Sequence, residues 1–245
     1  MNSKKLSKTQ LEKDIALAKS KNHFEKLDKF YKKIPETTCD RCGVCCLDSP
    51  TMTYVEFMYA YDFLASNYDE QTIKETVKKA VKSFMYGLLD KKQAACPCLN
   101  EDNSCMIYPK APLSCKIWGL NSKHTYESNL KAAKKSSMEF KRQFLKIGID
   151  IPDGIINYET PFCEATTMVK DVYRLTTHDF DVFINKELNN ISMHYPRECE
   201  KWPFANLLVF AILGYGISND RIRVVKDYQA GNIEAINQYV EKLEI

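Results

Sequence analysis

The chain has 245 residues, which is enough for one large domain with a substantial core, so disulfides are not needed for folding. An apolar fraction of 44% and only eight glycines exclude a chain dominated by disorder. The net charge of +3 gives no sign of the strongly basic surface that binds nucleic acid. The basic residues between Lys131 and Lys146 spread around a predicted helix and indicate a solvated surface.

The first ten residues, MNSKKLSKTQ, are basic, but no apolar stretch of the length of an export signal follows them. The longest apolar run, Trp202 to Ile217, is interrupted by Pro203 and Asn206 and is shorter than the ~20 residues that cross a bilayer. We read this run as a buried core helix. We therefore expect a cytoplasmic protein with no membrane contact, and in that reducing compartment its ten cysteines favour metal binding over disulfides.

Apolar residues at intervals of three and four predict helices in the first third of the chain. The segment from Leu6 to Tyr31 has this pattern among many lysines and indicates one amphipathic helix. Thr53, with Glu56 three residues later, predicts a capping box and a helix to about Leu64. Asp69 is the expected cap of a second helix, which carries an apolar stripe as far as Leu88.

Ala95 to Trp118 has no helical or strand period and contains three prolines, so we predict a loop there. Gly231 is placed to stop a helix. No segment has the alternating pattern of an extended sheet. The fold class is therefore mostly α, a helical domain with an irregular, cysteine-rich metal-binding loop region. Further helices are predicted near Thr125 to Ile147, Thr166 to Arg174, His178 to Leu188, Pro203 to Leu213, Asp220 to Tyr228 and Ile233 to Leu243.

We divide the chain into three parts on these grounds. Residues 1–35 form an N-terminal amphipathic helix, residues 36–165 form the cysteine-cluster metal-binding domain, and residues 166–245 form a C-terminal helical region packed on it.

The first cysteine cluster contains Cys39, Cys42, Cys45 and Cys46, with Gly43 between the second and third. Two residues between cysteines let one turn direct both sulfurs to a single centre, as in zinc knuckles and iron-sulfur proteins. The first three cysteines match the C-x2-C-x2-C spacing of bacterial ferredoxins, whereas the fourth position of that run is not matched. Neighbouring side chains in an extended chain point apart, so we expect Cys46 to serve a second site or none.

The second cluster adds up to four thiols, from Cys96, Cys98, Cys105 and Cys115. Eight thiolates in one region would repel each other unless metals neutralised them, so buried core cysteines explain the two clusters poorly. Cys163 lies farther along and fits a ligand and a core residue equally well; we include it among the candidate ligands. Cys199 is expected to be a core residue.

Several other metal and redox sites are excluded by spacing. A common zinc finger needs two histidines at a short interval, but His124, His178 and His194 are scattered. The C-x3-C-x2-C run of radical S-adenosylmethionine enzymes is absent, since position 49 is Ser49. Thiol-disulfide exchange through a C-x-x-C pair is disfavoured because the expected βαβ context is missing. A zinc site with four thiolates stays open.

Three motifs in order resemble the YkgJ-type cysteine-cluster family, a zinc- or iron-chelating domain. They are C-x2-C-G-x-C-C, then C-P-x-L after a helical spacer, then C-x-I-Y-x-x-x-P-x-x-C, and together they span Cys39 to about Trp118. The resemblance implies that Tyr108 and Pro112 shape the loop. It also implies a ligand set, namely Cys39, Cys42, Cys45, Cys46, Cys96, Cys105 and Cys115.

The chain departs from the family pattern at three positions. Cys98 stands where the family has an aromatic or apolar residue, Ala111 replaces the arginine of an Arg-Pro pair, and Lys116 stands where an arginine often follows the last cysteine. Lys110 partly replaces the missing positive charge. The resemblance extends distantly to flagellin lysine N-methylase, but the chain has no G-x-G-x-x-G loop that would support a Rossmann-type methyl-donor site.

We interpret the chain as a metal-binding protein that coordinates an iron-sulfur cluster, with redox or protein-modifying methyl-transfer activity as the extension of that hypothesis. The alternative is a non-catalytic zinc-binding or metal-handling module. The sequence does not decide whether the chain is an enzyme or which protein is its partner or substrate. We interpret the charged residues beside the cysteines as solvated; these are Asp40, Arg41, Asp48, Glu56, Asp102 and Lys116. We interpret the nearby tyrosines, Tyr54, Tyr59 and Tyr61, as part of the core or rim of a helix.

Overall fold

A computed structural model of the chain describes most of its residues, with gaps in the cysteine-rich region and in the last third. The described ranges are 6–35, 37–39, 41–48, 50–164, 167–168, 178, 188–195 and 201–245. Everything below concerns these residues.

Helices dominate the described residues, which confirms the mostly α fold class. They are α1 Lys8–Ser20, α2 His23–Tyr31, α3 Tyr54–Asn67, α4 Glu70–Tyr86, α5 Leu113–Lys116, α6 Lys123–Lys146, α7 Asp153–Ile156, α8 Asn189–Ser192, α9 Phe204–Leu213, α10 Ile217–Gln229 and α11 Ala235–Glu241. Short 3-10 turns cover Val44–Leu47 and Tyr108–Lys110. The described strands have two residues each and form two antiparallel pairs: β1 Thr37–Thr38 with β3 Thr167–Met168, and β2 Thr51–Met52 with β4 Trp202–Pro203.

The predicted single helix from Leu6 to Tyr31 is wrong in one respect, because the chain breaks it into α1 and α2. Asn22 adopts a left-handed conformation with φ 54° between the two helices. Asparagine tolerates this region better than most residues, and the apolar spacing on both sides gave no sign of the turn.

The two predicted caps after the first cysteine cluster are confirmed. At the start of α3, Thr53 and Glu56 form a full capping box, and the helix runs slightly past the predicted end. Asp69 accepts a hydrogen bond from the amide of Thr72 at 2.7 Å and begins α4. These helices carry Glu56 and Ser83, which position the second cysteine segment.

The longest apolar run of the sequence forms β4 and then α9, which confirms the predicted core helix. Helix α9 packs along α4, where the rings of Phe84 and Phe210 meet edge to face at 5.5 Å. One hydrophobic cluster extends from Leu6 to Val240 and so includes residues of all three predicted parts. None of the described helices combines the length and apolar character needed to cross a membrane.

The predictions for residues 166–188 are mostly untested. Of the predicted helix Thr166 to Arg174, only Thr167 and Met168 are described, and they form strand β3 rather than a helix. The helix predicted from His178 to Leu188 lies outside the described residues except for its two ends. The helices predicted after residue 202 are confirmed, and Gly231, with φ 108°, follows the end of α10. In the predicted loop 95–118, one helical turn, α5, was not expected.

Candidate metal centre

The first cysteine segment, Cys39 to Cys46, turns at Gly43. With φ 72°, Gly43 allows its carbonyl to accept a hydrogen bond from the amide of Cys46 at 3.0 Å and opens the 3-10 turn Val44–Leu47. In this turn the thiols of Cys45 and Cys46 are hydrogen bonded to each other. Neighbouring side chains point apart in an extended chain, whereas Val44–Leu47 form a 3-10 turn. That Cys46 serves a second site or none stays a prediction.

The second cysteine segment, Cys96 to Cys115, begins with a small hairpin. Leu99 and Cys105 face each other across it, and the amide of Met106 donates to the carbonyl of Cys98 at 2.9 Å. The thiols of Cys96 and Cys98 are hydrogen bonded as well. Ser83 of α4 donates to the carbonyl of Ala94 at 2.8 Å, which ties the start of this segment to the helical core.

The two segments are joined directly. The amide of Cys96 donates to the carbonyl of Cys46 at 2.9 Å, so the two thiol pairs are adjacent. A β-carbon added at Gly43 would lie 2.9 Å from Oδ1 of Asn103, at the tip of the hairpin. The hairpin therefore packs closely against the turn of the first segment.

Glu56 fixes the position of α5, which carries Cys115. Its carboxylate is buried, with 2% of the residue exposed, and accepts hydrogen bonds from the amide of Leu113 at 2.7 Å and from the hydroxyl of Tyr31 at 2.8 Å. The other oxygen accepts from the amide and hydroxyl of Thr53, both at 2.8 Å. The interpretation of Glu56 as a solvated charge is wrong; its capping role was readable from the sequence, but its bond to Leu113 was not.

Six thiols lie close enough to influence one another electrostatically: Cys45, Cys46, Cys96, Cys98, Cys105 and Cys115. We call them the inner thiols. They differ in exposure, since Cys98 is completely buried, Cys115 is exposed, and the other four are intermediate. The described cysteines form no disulfide.

Burial and the neighbouring thiols raise the pKa values of some inner thiols and lower those of others. Hydrogen bonds from their partners lower the pKa of Cys45, to about 7, and that of Cys96. The bond that Cys46 donates to Cys45 raises the pKa of Cys46, while desolvation is the main cause that raises the pKa values of Cys98, Cys105 and Cys115, with that of Cys105 at about 11. Only part of the set can ionise together unless a cation is present.

The remaining predicted ligands, Cys39, Cys42 and Cys163, are not among the inner thiols. Cys39 and Cys42 are exposed, and the thiol of Cys39 accepts a hydrogen bond from the amide of Arg41 at 3.4 Å. Cys163 is half-buried, and Cys199 lies outside the described residues. No group of three or more His, Cys, Asp or Glu side chains among the described residues already has the arrangement of a metal site.

Two lysines flank the inner thiols on the side of α2 and α3. The ammonium of Lys110 donates to Asp28 at 3.0 Å and to the hydroxyl of Tyr59, which in turn donates to Asp28. Lys116 lies 5.1 Å above the ring of Tyr31, and desolvation, followed by repulsion from Lys110, lowers its pKa. Lys110 thus supplies the positive charge expected at this position, but it is paired with Asp28.

The other polar neighbours behave largely as the sequence analysis expected. Arg41 is exposed, Asp48 pairs with Lys91 at 3.1 Å, and Asp102 caps the tip of the hairpin through Ser104. Asp40 lies outside the described residues.

Comparison with protein families agrees with this arrangement. Residues 38–136 match the family CxxCxxCC, described as "putative zinc- or iron-chelating domain". The match confirms the resemblance to a cysteine-cluster family, whereas the distant likeness to flagellin lysine N-methylase is not tested by it. Searches of curated proteins and of solved structures gave no match.

Proposed function

We propose that the centre of this chain, whose residues 38–136 match a family described as chelating zinc or iron, is an iron-sulfur cluster held by cysteine thiolates. The observation that carries the proposal is the set of six inner thiols from two separate segments of the chain. The candidate ligands are the predicted ones: Cys39, Cys42, Cys45, Cys46, Cys96, Cys98, Cys105, Cys115 and Cys163.

The chemistry of the donor set fits such a group. Thiolates are the ligands of iron-sulfur clusters and also suit zinc, and metal binding replaces the protons that keep crowded thiols neutral. Two backbone features support the fit: the direct bond between Cys96 and Cys46 joins the segments, and Glu56 fixes the turn before Cys115. A bound cluster would supply one-electron redox chemistry.

Iron is favoured by the spacing of the first segment. Cys39, Cys42 and Cys45 follow the C-x2-C-x2-C run of ferredoxins, and the exposed Cys39 and Cys42 are the ligands that would have to move toward the inner thiols. Because no ready-made site exists among the described residues, we expect metal binding to order the first segment.

A single structural zinc ion is the second candidate function. Such a site needs four thiolates, and the two hydrogen-bonded pairs, Cys45 with Cys46 and Cys96 with Cys98, supply four adjacent thiols without Cys39 or Cys42. The module would then be non-catalytic, and its metal would stabilise the fold.

The experiment is anaerobic purification followed by analysis of iron, zinc and acid-labile sulfide, with an absorption spectrum of the same sample. Iron with sulfide and a broad blue-violet band support the cluster; zinc without iron supports the second candidate; neither metal, even after reconstitution, contradicts both. Cys96→Ser should lower the metal content about tenfold or more under either candidate. Cys42→Ser should lower it only if the exposed thiols of the first segment are ligands, as the cluster proposal requires.

Ser114→Ala is the matched control for these variants. Ser114 lies beside Cys115, and its buried hydroxyl has no hydrogen-bond partner. Its removal should leave the metal content unchanged. If Cys42→Ser retains all its iron, the iron-sulfur proposal is wrong.

The reaction and the partner need separate assays. Reversible bleaching of the visible band by dithionite would support a redox role. Transfer of a labelled methyl group to a lysine of an added protein would support the narrower methyl-transfer hypothesis, for which the described residues supply no separate argument.

A further inference from the structure

A cavity of about 530 Å³ lies between α4, α6, α9 and α10, beside the cysteine segments. Its size is within the range of about 300–1,000 Å³ that is usual for small-molecule sites. Its walls are largely apolar and include five aromatic rings, and one guanidinium group lies among them. The residues that carry the argument are Phe84, Phe140, Phe144, Trp202, Phe210 and Arg221.

Arg221 is an unusual lining residue because its charge has no counterion within the described part of the chain. The guanidinium carbon lies 4.2 Å from the centre of the Phe84 ring, and Nε is buried without a hydrogen-bond partner. No carboxylate among the described residues pairs with it, whereas Arg223 on the same helix pairs with Asp220 at 3.2 Å. Desolvation lowers the pKa of Arg221 to about 9.

The other charged groups that the structure describes at the cavity leave this positive charge uncompensated. Lys91 and Asp48 both line the cavity but are paired with each other at 3.1 Å. Lys201 adds a further positive charge at the rim. The cavity is therefore an apolar, aromatic space with an excess of positive charge.

We propose that this cavity binds an organic carboxylate with a flat, apolar body. A guanidinium is a planar fork of donors that matches a carboxylate, and an anion would supply the acceptors that Arg221 lacks. The rings of Phe84, Phe140, Phe144 and Trp202 suit the apolar part of such a ligand. A buried charge without a partner is unfavourable, so binding would relieve an existing cost rather than create one.

The cavity adjoins the inner thiols through the backbone. Leu47 and Asp48, which directly follow Cys46, and Ala94, two residues before Cys96, are all part of its wall. A ligand here would contact residues that flank both cysteine segments. The proposal goes beyond metal binding, since it rests on Arg221 and the aromatic wall and needs no metal.

The test compares 1-naphthaleneacetate with its neutral amide, 1-naphthaleneacetamide, in titrations of the full chain. The two probes have the same ring and nearly the same shape, so the ratio of their dissociation constants reports the charge interaction. We expect the carboxylate to bind about tenfold or more tightly than the amide. Arg221→Met, which keeps an apolar side chain of similar length, should reduce that ratio to near one.

Arg223→Met is the matched control, since Arg223 is exposed and pairs with Asp220 outside the cavity wall. It should leave the ratio unchanged. Gly87→Ala is a second variant in case Arg221→Met does not fold: a β-carbon at Gly87 would lie 3.1 Å from Nη2 of Arg221 and displace it. This variant should lower the ratio several-fold. Equal binding of the two probes, no binding of either, or an unchanged ratio in Arg221→Met would each overturn the proposal.

Discussion

The two cysteine segments differ in how they are attached to the helical core. The second segment, Cys96 to Cys115, is held by a hairpin, by Ser83 of α4 and by the buried carboxylate of Glu56. The first segment, Cys39 to Cys46, has one 3-10 turn and two exposed thiols. Its backbone is bonded to the second segment, where the amide of Cys96 donates to the carbonyl of Cys46.

This difference indicates that the two segments have different roles in binding a metal. The second segment is fixed by the fold and can present its thiols before any metal arrives. The first segment has fewer bonds to the core, so its outer thiols are free to move toward a metal and be ordered by it. Three substitutions test this comparison. One removes the anchor of the second segment, one acts where the two segments meet, and one removes a charge that flanks the second segment.

Glu56→Ala should have the largest effect because it removes the anchor of the second segment. The change leaves the amides of Leu113 and Thr53 and the hydroxyl of Tyr31 without their buried acceptor. At about 1 kcal/mol or more for each group, we expect a loss of about 3 kcal/mol in the free energy of unfolding. Urea denaturation of the metal-free, reduced chain measures it.

Two further variants sharpen that result. Glu56→Gln keeps one oxygen that can accept from Leu113 and Tyr31, so it should recover about half of the lost stability. Glu75→Ala removes an exposed carboxylate from α4 and should change the stability by less than about 0.5 kcal/mol. A loss in Glu56→Ala no larger than that of Glu75→Ala would show that Glu56 does not anchor α5.

The anchor also shows what sequence could and could not predict. The capping box of Thr53 and Glu56 was predictable because its partners are three residues apart. The bond from Glu56 to Leu113 joins residues 57 positions apart, and no local pattern reports such a contact. Helix positions were predictable for the same reason as the capping box, since apolar periodicity is a local property.

The candidate site was predictable as a set of residue types but not as an arrangement. Spacing and order of the cysteines pointed to the family that the comparison then matched. The sequence did not show that Cys45 and Cys46 form a hydrogen-bonded pair, because that pairing depends on the left-handed turn at Gly43. Nor did it single out Arg221, whose position in an amphipathic helix looks like that of any surface arginine.

Gly43→Ala should have an intermediate effect because it acts at the junction of the segments. A β-carbon is unfavourable at φ 72°, by about 1–2 kcal/mol, and it would also lie 2.9 Å from the side chain of Asn103. The exposed Asn103 can move away, so we expect the backbone cost to dominate. The free energy of unfolding of the metal-free chain should fall by about that amount.

Gly154→Ala is the matched control, because no atom lies within 4 Å of a β-carbon added there and its φ is not in the left-handed region. Adding Asn103→Ala to Gly43→Ala should restore only the small steric part of the loss. Full restoration would show that crowding at the junction, rather than the turn itself, accounts for the effect.

Lys110→Met should have the smallest effect, since it removes only a flanking charge of the second segment. Burial raises the pKa of Asp28, but hydrogen bonds from Tyr59 and Lys110 outweigh it, so the folded pKa lies below the ordinary 3.8. A carboxylate with a lowered pKa stabilises the fold above pH ~4 and loses that contribution as the pH falls through its folded pKa. The two side chains are 26% and 43% exposed, which limits the loss in Lys110→Met to about 0.5–1 kcal/mol at pH 7.

The pH dependence separates this ion pair from simple packing. Once Asp28 is protonated, below its folded pKa, the stabilities of the two proteins should converge, because Lys110 no longer faces a charge. Urea denaturation at pH 7 and at the lowest pH at which both proteins fold measures the difference. Lys74→Met, which removes a more exposed ion pair with Glu70, is the matched control and should cost about 0.3 kcal/mol at pH 7. A loss in Lys110→Met that is equal at both pH values would show that Lys110 contributes by packing on Tyr59 and not by its charge.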